Sequence, residues 1–300
     1  MLAPSIALLA LLASLAGCAG VLPIMPPATT VGSPPPATTV GSPGPEVASP
    51  LAAAPRSTAA ALPAEAALRS PLGGDPFVDL PVEGHRAAVV SVPLGASSPR
   101  PLLVVTHGAG GRPEPHCAFW RGLLGARGFI LCPRGSLLGS LAEPQDQGFF
   151  YRDHHALERE VTAAMAALRA RYGELVDDRA PMYAGFSQGA TMGALAFVKR
   201  PAVFARLVLI EGGSGESDEW TINGSRAFRE SGGARVLFAC GRPSCFLAAK
   251  RSITYLDKAG VQGRVVHAAG AGHTYGGAVA EAVQGALAWI TEGDARWSDR

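Results

Sequence analysis

The sequence predicts a doubly wound α/β domain, a mostly parallel central sheet with helices on both faces. Three observations predict it. From about residue 76 onward, short β-branched runs alternate with longer helical stretches, the pattern of strands joined by helical crossovers. The central runs are solidly apolar, as strands covered on both faces are. A glycine-flanked turn, Gly185-Phe186-Ser187-Gln188-Gly189, falls directly between a strand pattern and a helix pattern. At 300 residues the chain has room for one such domain of about 200–250 residues plus extra segments.

In chain order, strands are expected at 86–92 (RAAVVSV), 102–106 (LLVVT), 128–132 (GFILC), 181–186 (PMYAGF), 206–211 (RLVLIE), 234–240 (ARVLFAC) and 263–268 (GRVVHA). Helices are expected near 116–126, 154–171, 188–198, 222–231, 246–259 and 277–291. Helix 154–171 spaces Leu157, Val161, Ala164, Met165 and Leu168 for one buried face, leaving Glu158, Arg159, Glu160, Arg169 and Arg171 for solvent. Ala190, Gly193 and Ala194 keep helix 188–198 slim, so that it can lie close on the sheet. Only residues 212–233 separate two of the strands, enough for a loop and one helix. No lid domain is therefore expected, and the crevice at the carboxyl ends of the strands should be open.

Ahead of the domain the composition changes. Residues 1–17, MLAPSIALLALLASLAG, carry no charged side chain and end at Cys18. The apolar run is short for a membrane span, which needs about 20 residues. Leu15-Ala16-Gly17-Cys18 resembles a bacterial lipobox, so residues 1–17 are expected to be a lipoprotein signal peptide and Cys18 the lipidated first mature residue. An ordinary secretory signal is the alternative. Residues 18–75 read as a tether. PPATTVGSP occurs twice in tandem, at 26–34 and 35–43, and proline-rich chain without aromatic residues buries too little to offset its ordering entropy. The domain then runs from 76 to 300. This organisation predicts a bacterial cell-envelope protein, lipid-anchored on the outer face of a membrane or secreted, that meets the membrane through its anchor alone.

The net charge of +2, with 17% charged residues, excludes a basic nucleic-acid surface. With Cys18 lipidated, Cys117, Cys132, Cys240 and Cys245 remain. Four cysteines allow three pairings. In an oxidising compartment Cys117–Cys132 and Cys240–Cys245 are preferred because each closes a short loop; four reduced thiols are the other reading. Neither pair has zinc-site spacing.

A serine hydroxyl is inert at neutral pH without a base, an orienting group and donors for an oxyanion. Ser187 sits where a strand-turn-helix nucleophile elbow would hold it. His273, in AAGAGHTYGG, lies on a glycine-rich loop after the last strand. The other histidines have weaker positions: His85 and His116 at a loop and a helix start, His154 and His155 on a surface helix, His267 inside a strand.

With these motifs, residues 85–292 resemble the α/β-hydrolase superfamily. They look closest to its carboxylesterase/phospholipase and dienelactone-hydrolase-like branches, or to polyester depolymerases and feruloyl-type esterases. VDDRAPMYAGFSQGATMG (176–193) is similar to their D-x-R-x-Y-x-x-G-F-S-Q-G stretch. The resemblance implies a serine carboxylic-ester hydrolase with no metal and no organic cofactor, in which Ser187 is the nucleophile and His273 the base. Thr106-His107-Gly108-Ala109-Gly110-Gly111 is similar to the oxyanion loop of these enzymes. The amides of Ala109 and Gln188 would be the donors, and His107, Gly108 and Gly110 would line the substrate pocket. Phe149, Phe150 and Tyr151 are candidates to wall it, with core packing as their alternative role.

One element departs from the family. Where these enzymes usually carry G-x-x-D after the strand ending at 240, this chain has Gly241-Arg242-Pro243-Ser244. The first expectation is that Glu211, closing the preceding strand, supplies the acid. Asp218 or Glu216 in the next loop is the second, and a Ser–His dyad or an inactive site the third. The substrate expected is a small ester or an accessible polymer end. The rival reading is an inactive hydrolase fold used as a surface binding or scaffold lipoprotein.

Overall fold

The structure is a computed structural model that describes residues 70–139, 147–198 and 204–298. The signal segment, Cys18 and all of the tether up to residue 69 lie outside the described residues.

Among the described residues, ten strands and six α-helices follow one another. The order is β1 (Phe77–Leu80), β2 (Ala88–Ser91), β3 (Arg100–Thr106), α1 (Pro113–Leu124), β4 (Phe129–Cys132), β5 (Ser136–Leu138), β6 (Gly148–Phe150), α2 (His154–Tyr172), β7 (Val176–Phe186), α3 (Gln188–Val198), β8 (Arg206–Ile210), α4 (Ile222–Glu230), β9 (Arg235–Cys240), α5 (Pro243–Ala259), β10 (Gln262–His267) and α6 (Gly277–Thr291). Eight strands form one sheet in the order β1-β2-β4-β3-β7-β8-β9-β10, and β5 and β6 form a separate hairpin. β1–β2 and β2–β4 are antiparallel, and the five pairings from β4 to β10 are parallel. Among the described residues no helix is long and apolar enough to cross a membrane.

Strand alternation assigns each face its core. Leu102, Val104, Tyr183, Leu207, Leu209 and Phe238 point to the side covered by α2, α3, α4 and α5. Leu103, Val105, Ala184, Val208, Ile210 and Ala239 point to the side covered by α1 and α6. The solidly apolar strands expected from the sequence are thus buried on both faces. α3 lies close on the sheet: a Cβ on Gly193 would stand 2.2 Å from the Tyr183 hydroxyl, so only glycine fits there.

Two helices begin three residues earlier than expected, at Pro113 and Pro243. Each proline occupies the first turn, where its missing N–H leaves no hydrogen bond unmade. β7 begins at Val176 rather than 181, with a register irregularity opposite Pro101–Leu103 and a positive φ of 46° at Ala180. Ordered pairing also starts before residue 76: the Leu72 N–H donates to Ala96 O at 2.9 Å, and Leu72 packs on the core.

The strand order reverses about β3, with β4 on one side and β7 on the other. In an open α/β sheet the crevice forms at such a switch point, beyond the carboxyl ends of the strands.

Candidate functional site

Four strand ends meet over this switch point. β7 ends at Phe186, and Ser187 takes φ +52° before α3 begins at Gln188. A non-glycine residue held there costs on the order of 1–3 kcal/mol and persists only where its surroundings impose it. Here the Ser187 N–H donates to Ile210 O at 2.8 Å. A Cβ on Gly185 would press on the Ala190 backbone at 2.6 Å, so glycine lets the chain double back. The turn presents the Ser187 Oγ above the sheet, 2.8 Å from His273 Nε2.

His273 stands on the loop after β10, and its Nδ1 lies 3.0 Å from Glu211 Oε2. Glu211 directly follows β8 and also has a positive φ, +54°; its N–H donates to Ala239 O. Its carboxylate is fully buried, whereas the His273 side chain is 41% exposed. Oε1 accepts from the Gly241 N–H at 2.5 Å and the Arg242 N–H at 3.0 Å, and Oε2 accepts from Arg242 Nε at 2.5 Å. Burial alone would raise the Glu211 pKa, but the donors of Arg242, His273 and Gly241 outweigh it and hold it below the usual range. An ionised carboxylate only accepts hydrogen bonds, so His273 Nδ1 carries the proton toward Glu211 and Nε2 is left to accept from Ser187.

Two backbone donors complete the arrangement. Gly110 N–H is engaged by Phe149 O, Gly111 N–H by Gly108 O, and Gly189 N–H by His107 O. The amides of Ala109 and Gln188 have no partner among the described residues. Gln188 opens α3, so its N–H belongs to the positive end of that helix dipole. Such an array can bind a developing oxyanion.

Sequence comparisons return no match to a protein-family model and none among curated proteins. Solved structures do resemble the chain. The protein TT1662 from Thermus thermophilus aligns over 72% of this chain and 98% of its own, with 16% identity and a TM-score of 0.51. An esterase from Pyrobaculum calidifontis aligns over 71% of this chain and 83% of its own, with 18% identity and a TM-score of 0.50. The chain has an α/β-hydrolase fold.

The remaining expected residues of this hydrolase-fold domain fall into two groups. Gly108 abuts the elbow: a Cβ there would lie 3.1 Å from both the Ser187 Cβ and the Phe186 ring. Gly110 is exposed beside the candidate donor Ala109. The side chains of His107, Phe149 and Tyr151, by contrast, do not wall an open crevice. His107 is fully buried, with Nδ1 2.8 Å from Gly108 O and Nε2 2.9 Å from Arg134 O; burial outweighs both carbonyls and lowers the ring's pKa. Tyr151 is 2% exposed, stacks on His107, donates its hydroxyl to Pro133 O and its N–H to Gln188 Oε1. Phe149 is 5% exposed, beneath the Arg134 guanidinium. These groups pack against the 107–111 loop, which Phe149 also ties through its backbone bonds to Gly110 and Gly111. Core packing won because β6 turns Phe149 inward and the loop after it buries Tyr151.

Neither Asp218 nor Glu216 hydrogen-bonds to His273; Glu211 does. The structure joins Cys117 to Cys132 and Cys240 to Cys245. Glu211, Cys240 and Cys245 place a carboxylate oxygen and two sulfurs within 4.8 Å of one another. Bonded sulfurs are not thiolate ligands, so this group is not a metal site as it stands. Sequence reasoning missed the aromatic flank of His273. Phe186 lies 5.1 Å from the His273 ring, Tyr275 packs on Phe186, and His116 lies 4.1 Å from Tyr275. Burial, helped by the neighbouring His107, pushes His116 down to about 3. It also missed Arg242, whose contact with Glu211 spans 31 residues of chain.

Proposed function

We propose that this protein is a serine hydrolase that cleaves carboxylic esters through an acyl-Ser187 intermediate. The observation that carries this reading is the continuous hydrogen-bond chain from Ser187 Oγ through His273 to Glu211. In the first half-reaction Ser187 Oγ attacks the ester carbonyl carbon while His273 Nε2 takes its proton. The carbonyl oxygen becomes an oxyanion facing the Ala109 and Gln188 amides, and buried Glu211 stabilises the imidazolium. Collapse expels the alcohol, which leaves with the proton from Nε2. Water, deprotonated by the same nitrogen, then attacks the acyl group, and the acid departs as Ser187 regains its proton.

The half-buried Ser187 and the 41% exposure of the His273 side chain fit small esters or accessible polymer ends. The rival reading, an inactive scaffold, drew its support from the missing carboxylate after residue 240; the contact between Glu211 and His273 takes that support away. A fluorophosphonate probe tests the proposal: wild type labels and Ser187→Ala does not. Folded wild type that fails to label would defeat it.

The lipobox-like Leu15-Ala16-Gly17-Cys18 and the proline-rich stretch after it support a lipid anchor that displays the enzyme on the envelope surface. In cells fed a radiolabelled fatty acid, wild type should incorporate label and Cys18→Ala should not; equal labelling of both would refute the anchor.

A further inference from the structure

The turn after β9 has exchanged its chemistry with the end of β8. In the family pattern the former carries the acid. Here it carries a guanidinium and two inward amides, and the acid comes from Glu211 one strand away. Four donors converge on that one carboxylate, and three of them belong to residues 241 and 242. The turn also starts α5, so Glu211 faces the amino end of a 17-residue helix. Cys240 and Cys245 flank the turn and are bonded across it, with their Cα atoms 5.6 Å apart. Their sulfurs pack beside the carboxylate, and both cysteines are buried.

We propose that Arg242 is a positioning residue: on a turn closed by the Cys240–Cys245 disulfide, its guanidinium and amide fix the Glu211 carboxylate in the orientation that receives the His273 Nδ1–H. This rests on the esterase reading above. Oε2 is the shared atom, contacted by Arg242 Nε at 2.5 Å and His273 Nδ1 at 3.0 Å. Arg242 therefore sets where Oε2 points, and its backbone and side-chain hydrogen bonds help hold the Glu211 pKa down although the carboxylate is buried. Its fork geometry matters as well, because Nε and Nη2 approach Oε2 and the Glu211 carbonyl together. Among the described residues, the charged or titratable groups facing this carboxylate are Arg242, from the start of α5, and His273, from the loop after β10. The other contacts are the two amides and the bonded sulfurs.

The test is kcat/KM for a p-nitrophenyl ester against pH, for wild type, Arg242→Leu, Arg242→Lys and Ser187→Ala. The Arg242 side chain is 39% exposed, so these variants leave the core intact, and a thermal melt verifies it. Arg242→Leu should lower kcat roughly 10- to 100-fold, the kinetic equivalent of one lost hydrogen bond to a charged group, with KM little changed. Its acid limb, which reports the coupled Glu211–His273 pair, should move to higher pH, because burial of Glu211 is then opposed by fewer donors. Arg242→Lys should return the limb toward wild type while kcat recovers only in part. Arg242→Leu with the wild-type limb would overturn the proposal, whether kcat is unchanged or lowered, since a merely structural loss leaves the limb in place. If wild type is active and Ser187→Ala is not, that result leaves the esterase reading standing; if wild type and Ser187→Ala are equally inactive, both fall.

Discussion

At the carboxyl ends of β7 and β8, Ser187 and Glu211 hold φ of +52° and +54°, and two amides nearby have no partner among the described residues. The amino ends of the same strands are organised differently. Asp177, at the start of β7, takes a fork from Arg179 at 2.9 and 2.8 Å and a third contact from Arg296 at 3.2 Å. Arg296 also pairs with Asp294 at 2.6 Å, Asp294 with Arg206 at 3.5 Å at the start of β8, and Arg235 at the start of β9 with Glu292 at 2.7 Å. The carboxyl end presents a hydroxyl, an imidazole and two open amides on strained turns. The amino end, although Ala180 also holds a positive φ and Arg206 Nε has no partner among the described residues, is crossed by ion pairs that tie the C-terminal residues to the strands. The difference teaches that activity and stability can be perturbed at separate ends of the same strand.

The comparison can be broken by measuring turnover and melting together. Ser187→Ala gives the largest effect: turnover should fall about 10⁶-fold, as loss of a nucleophile does elsewhere, while Tm stays near wild type. Glu211→Gln comes next, with a loss of about 10⁴-fold and a Tm change of no more than about 8 °C, the equivalent of one or two kcal/mol in a domain of this size. A wild-type rate in Glu211→Gln would clear this residue of the role. Asp177→Asn should leave kcat/KM unchanged and lower Tm slightly. Its pH dependence sharpens the contrast. The Arg179 hydrogen bonds, aided by Arg296, bring the Asp177 pKa from 3.8 to about 2. A carboxyl depressed in the folded state stabilises fully above its unfolded value and loses that contribution as pH falls through the folded one. The Tm gap between wild type and Asp177→Asn should therefore be constant above about pH 4 and close toward pH 2. A gap that persists at pH 2 would show that the ion pair is not its source.

The alternation of strands and helices was legible because burial on both faces leaves apolar runs that periodicity detects. β1, β5 and β6 were not: FVDL, SLL and GFF are too short to display a period. Ser187 and His273 could be singled out because each lies at a strand end in a glycine-rich turn. Glu211 was one candidate among three, since what selects it is a positive φ and proximity to a loop 62 residues away. Arg242 stood in plain view, yet its meaning lies in a contact across two strands. Phe149 and Tyr151 failed as pocket walls because composition does not reveal which way a three-residue strand and the loop after it turn their side chains.

The bond between Cys117 and Cys132 joins α1, the helix that follows the His107–Gly111 loop, to β4 in the core, across a sequence separation of 15. A crosslink closing a loop of that size is worth about 3 kcal/mol through the unfolded chain. Material produced where glutathione keeps thiols reduced would be denied this staple and the one beside Glu211 together. Recombinant enzyme should accordingly be matured in an oxidising host compartment or refolded with a thiol–disulfide couple before its turnover is judged.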